Sequence, residues 1–162
     1  MMRKIAIFTS FMAAMVFGHL SINACMCPGV NPSIYPADIP KFKQYYRDEF
    51  KGAAFTGKLV SSKEIPGKVT SYGDKLLELT VNVDRAWLGV NQPRMTVFTS
   101  DNPCGVRFRE NESYFFLPTL EEGQLYISPC TYASYSSKSD GDFVDLMKAM
   151  FGGGKKFGAK GK

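Results

Sequence analysis

Leu77, Leu79, Val81 and Val83 alternate with Glu78, Thr80 and Asn82 along "LLELTVNVDRAWLG", and a period of two residues marks a strand with one buried face. A second strand is predicted over "AAFTGKLVS", residues 53–61, with Gly57 as a candidate bulge. Three shorter ones follow: "RMTVFTS", "SYFFLPTL" and "QLYIS". Between the first two long runs, "SKEIPGKVTSYGDK" is rich in turn formers and predicts a loop. Two segments have a different period. In "IPKFKQYYRDEF", behind Asp38, the rings of Phe42, Tyr45, Tyr46 and Phe50 recur at spacings of three and four, which predicts a short helix with those rings in the core. "DGDFVDLMKAMF" places Phe143, Leu146, Met147, Met150 and Phe151 on one face behind an aspartate cap, the pattern of an amphipathic helix docked on a sheet. Five strands without a strand-helix-strand rhythm predict a mainly β domain, a small closed barrel with peripheral short helices.

The two ends of the chain follow different patterns. Arg3 and Lys4 precede a mostly apolar run from Ile5 to Leu20, and Ala24 offers a small residue for cleavage. Residues 1–24 therefore read as a secretory signal peptide, too short and too interrupted for a membrane span. Cleavage after Ala24 would make Cys25 the first residue of a secreted, soluble chain. Ile22-Asn23-Ala24-Cys25 also loosely resembles a lipoprotein box, in which Cys25 would be lipidated, although Asn23 fits it poorly. At the other end, residues 152–162 are glycine and lysine rich and predict a flexible tail behind a domain at 25–151.

Charge and composition narrow the chemistry. The formal net charge is +5, but two of the 20 cations lie in the leader and four in the tail, leaving the domain close to neutral against its 15 acids. Nucleic-acid binding by the folded part has little support. The single histidine, His19, lies in the leader. A mature chain without histidine has no Ser-His or Cys-His base and lacks the commonest zinc ligand, which points away from a hydrolase and towards a binding protein. The four cysteines, Cys25, Cys27, Cys104 and Cys130, are most simply a disulfide framework. A ring closed between Cys25 and Cys27 would be strained, so each is expected to reach one of the two distant cysteines. Loops of this size stabilise by about 4 to 5 kcal/mol each. A four-cysteine zinc site is the competing reading, but it lacks the usual paired spacing, and a redox pair lacks the two-residue spacer.

A Cys-x-Cys start, "AAFTGKLVS", "LTVNVDRAWLG", "CGVRF" with "ESYFFL", and "EEGQLYISPC", in that order, resemble the N-terminal inhibitory domain of the tissue inhibitors of metalloproteinases over nearly all of Cys25 to Phe151. The sequence departs from vertebrate members in lacking the cysteines of their third bridge and of their separate C-terminal domain. The resemblance implies a five-stranded OB-fold barrel of the netrin-like type, with two disulfides, Cys25 to Cys104 and Cys27 to Cys130. It also implies a mechanism without enzymatic activity and without a cofactor of its own. The α-amine and backbone carbonyl of Cys25 would chelate the catalytic zinc of a secreted metalloproteinase in place of its water. An α-amine titrates near 7.7 to 8.0, so it loses its proton at little cost. Met26 would enter the enzyme's primed specificity pocket, and Pro28, Asp101, Asn102 and Pro103 would extend the inhibitory wedge. Asn111-Glu112-Ser113 is an N-glycosylation sequon, a candidate modification at Asn111. The alternative is a netrin-like extracellular module that recognises a protein or glycan without touching a metal.

Overall fold

A computed structural model describes residues 38–70, 73–101, 107–127 and 141–158. The chain is mainly β, a curled, open half-barrel sheet with two short helices. Its elements are α1 (Ile39–Asp48), β1 (Ala54–Val69), β2 (Lys75–Leu88), β3 (Arg94–Ser100), β4 (Ser113–Phe116), β5 (Thr119–Glu121), β6 (Gln124–Ile127), α2 (Gly141–Phe151) and β7 (Lys155–Lys156). The strand order is β4-β1-β2-β3-β6-β5, with β7 paired to β2. All pairings are antiparallel except that of β3 with β6.

The period of two explains why one sheet supports two cores. Phe55, Leu59, Leu79, Val81, Val97 and Phe116 are buried inside the curl, where the Phe55 and Phe116 rings stack at 5.0 Å. Their neighbours in sequence, Ala54 and Phe115, face the other way and meet Phe143, Met147 and Met150 of α2. Phe115 stacks on Phe143 at 5.7 Å, so consecutive phenylalanines serve opposite layers. The amphipathic helix is found as its pattern predicts, with Leu146 and Phe151 half-buried at its margin. Helix α1 forms over the expected residues. Phe42, Tyr46 and Phe50 pack on the second core, but Tyr45 does not, remaining 46% exposed. Pro40 lies in the first turn, where its missing N–H costs nothing.

Three predictions need correction. Residues 62–69, expected as loop, continue β1 as a long hairpin with β2, closed by a turn in which the Gly73 amide donates to the Thr70 carbonyl at 2.9 Å. "SYFFLPTL" is two strands, because Pro118 has no amide to donate and interrupts the ladder between β4 and β5. The described part of the tail is not free: β7 pairs with Arg85 and Ala86 on the edge of β2 that β3 leaves bare beyond Asn82. Gly57 does mark an irregularity, since the register slips between Thr56 and Gly57 and leaves Asp84 as the extra residue on β2.

Candidate functional site

One end of the half-barrel gathers the strand ends that matter for the expected wedge. Strands β3 and β6 run parallel there, with Phe98 opposite Tyr126 and Thr99 opposite Ile127. The junction is tied by the Thr99 hydroxyl, which donates to the Ile127 carbonyl at 3.0 Å, and Thr99 and Ser100 are both buried. A buried hydroxyl is tolerated in this position because its hydrogen bond is made. Strand β2 begins beside them, with Leu76 opposite Ser100.

Asp101 is the one expected wedge residue within the described structure. It is exposed at the end of β3, and its amide donates to the Lys75 carbonyl at 2.9 Å. The Lys75 ammonium in turn bonds Glu64 at 2.8 Å across the hairpin. That bond and the charge of Glu64 raise the Lys75 pKa above its ordinary value, with a smaller contribution from Asp101. Cys25, Met26, Cys27, Pro28, Asn102, Pro103, Cys104 and Cys130 lie outside the described residues. Asn111 is described: it is exposed, sits at φ 68° in the turn before β4, and donates its amide to the Leu59 carbonyl at 2.8 Å.

The long β1–β2 hairpin flanks this end of the sheet and was missed from sequence. Its outer half pairs with no part of β4, whose ladder stops at Lys58 opposite Ser113. Polar positions dominate there, and Pro66 sits in an irregular stretch of an edge, where its lack of an amide is harmless. The signal that could have revealed it is the length of β2, since 14 residues of strand need a neighbour of comparable length.

Among the described residues, no group of three or more His, Cys, Asp or Glu could hold a metal ion. Among the same residues, no helix is long and apolar enough to cross a membrane. No protein-family model matches the chain, and neither does any curated protein.

Proposed function

We propose that this chain is a secreted protein inhibitor of zinc metalloproteinases, acting through the amine and carbonyl of a mature N-terminal Cys25 on an OB-type barrel. The observation that carries the reading is the parallel junction of β3 and β6. Thr99 and Ile127 end side by side, and Cys104 and Cys130 follow five and three residues later. Extended chain covers at most about 3.5 Å per residue, so both cysteines are tethered within roughly 10 to 18 Å of one spot. Tethers of that length are compatible with bonds from both to a single Cys-x-Cys segment, which is what a doubly clamped terminus requires. Clamping lowers the cost of ordering that terminus in an enzyme cleft.

The strand order supports the finer fold assignment. Taken as one interrupted strand, β4 and β5 pair with β1 on one side and β6 on the other. Gly52 bridges Thr119, and the Leu120 amide donates to the Lys51 carbonyl at 2.7 Å. Five strands in the order 1-2-3-5-4, with a parallel 3–5 pair and strand 4 returning to strand 1, is the connectivity of a small closed Greek-key barrel.

The mechanism is tested at the terminus, without changing any side chain. One Ala added before Cys25 moves the amine off the zinc. The expected outcome is an unchanged Tm with inhibition of a matrix metalloproteinase panel weakened at least a hundredfold, about 2.7 kcal/mol. Undiminished inhibition by the extended protein would exclude chelation by Cys25 and favour a netrin-like binding module.

A further inference from the structure

The last described strand is a short peptide held on one edge of the sheet. Three residues, all glycine, separate Phe151 at the end of α2 from β7. Strand β3 leaves β2 after Asn82, with one further bond from the Val83 amide to the Pro93 carbonyl. The tail takes the edge from there. Lys156 stands opposite Arg85 and Lys155 opposite Ala86, and the Phe157 amide donates to the Asp84 carbonyl at 3.0 Å.

The edge recognises more of the tail than its ladder. The Trp87 indole donates to the Gly152 carbonyl at 3.1 Å, and the Arg85 guanidinium to the Gly153 carbonyl at 2.7 Å. At Gly154, with φ 68°, a Cβ would stand 2.8 Å from the Ala86 carbonyl oxygen and 2.9 Å from Trp87 Nε1, so that position is closed to side chains. Phe157 is half-buried against the inner core, and the Lys155 ammonium lies 4.7 Å from the centre of its ring. That cation–π contact orients two side chains on one face of the strand. Main-chain pairing, a position that admits only glycine and a slot for one aromatic ring are the parts of a strand-addition site for a short peptide.

The geometry points to the β2 edge at Asp84 to Trp87 as a docking site for the Gly-Gly-Gly-Lys-Lys-Phe tail of a second copy of this chain, kept shut in the single chain by its own tail. Apart from Phe157, residues 152–158 are exposed, and glycine loses more conformational freedom on ordering than any other residue. The tail therefore depends on its tether, and a short flexible linker supplies an effective concentration in the millimolar range. A second chain carries the same segment and makes the same contacts without the tether. Exchange is reciprocal, each tail lying on the other chain's edge, so the pair closes by twofold symmetry and no third chain is added.

The probe is a fluorescent synthetic peptide of residues 152–162, titrated into the full chain. In the Phe157→Ala chain the slot is vacated and the edge kept, so saturable binding is expected below about 1 mM and at least about tenfold tighter than to the native chain, whose own tail competes. Gly154→Val in the full chain crowds the Ala86 carbonyl and loosens the tail from a different point, and it should open the site in the same way. Peptides carrying Phe157→Ala or Gly154→Val should bind neither chain. A second measurement needs no substitution: the native chain refolded at about 1 mM should give an exchanged dimer in sedimentation, suppressed by excess peptide. Equal peptide binding by native and variant chains, no binding by variants that are folded by near-UV circular dichroism, or equal binding of the native and Phe157→Ala peptides would overturn the proposal. So would a native chain that refolds to monomer alone. Metalloproteinase inhibition should be the same for the Phe157→Ala and native chains, because Arg85 lies about 30 Å along β2 from Leu76 at the wedge end, so the docking site and the wedge can fail independently.

Discussion

A glycine inside a strand pattern signals a bulge or a close approach, and Gly57 combines the two. A Cβ there would stand 2.5 Å from the Asn82 carbonyl oxygen and 2.7 Å from a Val81 methyl. Because backbone cannot yield as a flexible side chain does, Gly57→Ala is expected to cost about 1 to 3 kcal/mol, read as a lower midpoint in urea denaturation. The slip at Gly57 also produces Asp84, which no pattern in the sequence distinguishes from other strand aspartates. Burial pushes its carboxyl above the ordinary value of 3.8, against the pull of Lys58. A carboxyl raised in the folded state stabilises the fold when protonated; that contribution is complete below the unfolded pKa and is lost as pH rises through the folded one. Asp84→Asn should accordingly melt above the native protein at pH 7, with the gap closing towards pH 3. A gap that stays constant with pH would assign the effect to packing instead. For the proposed wedge, Cys25 to Pro28 stand out in the sequence by their chemistry but lie outside the described residues, while Asp101 is placed by its hydrogen bond to Lys75.

Elements with an internal period were legible, and those defined by a distant partner were not. Helix α2 and strands β2 and β3 declare themselves because each carries its own buried face. The outer half of β1 and all of β7 have no such face: the first is a strand because the start of β2 folds back on it as a hairpin, the second because of an edge of β2 about 70 residues earlier in the sequence. Strand β7 is short, but it is fixed at several points. The Trp87 indole donates to the Gly152 carbonyl at 3.1 Å, the Phe157 amide to the Asp84 carbonyl at 3.0 Å, and the Phe157 ring packs on the inner core. Gly154, at φ 68°, lies where a Cβ would meet the Ala86 carbonyl oxygen at 2.8 Å. Replacing Phe157 with Ala should lower stability by about 1 to 2 kcal/mol, less than for a fully buried ring. An unchanged unfolding curve would reduce β7 to a passive ornament of the edge.

At the scale of the whole molecule, the mainly β class follows from patterning, but strand number and strand order do not: Pro118 splits one predicted strand into β4 and β5, β7 carries no pattern of its own, and no local rule places β6 beside β3. That placement matters most for the covalent framework. If Cys25 pairs with Cys104 and Cys27 with Cys130, peptide mapping without reduction will recover those two bridges and no free thiol. Crossed bridges would overturn the pairing, and two free thiols would remove the rigid clamp on which the chelate depends. The pairing of β7 has a practical side as well. A recombinant fragment trimmed at Phe151, where the hydrophobic pattern stops, would uncover the edge of β2 at Asp84 to Ala86, which β7 and the Phe157 amide now occupy, and an uncovered edge of that kind recruits strands from other molecules. Such a fragment would be prone to aggregate during expression, so an affinity tag belongs beyond Lys162, leaving both the leader and the last strand as they are.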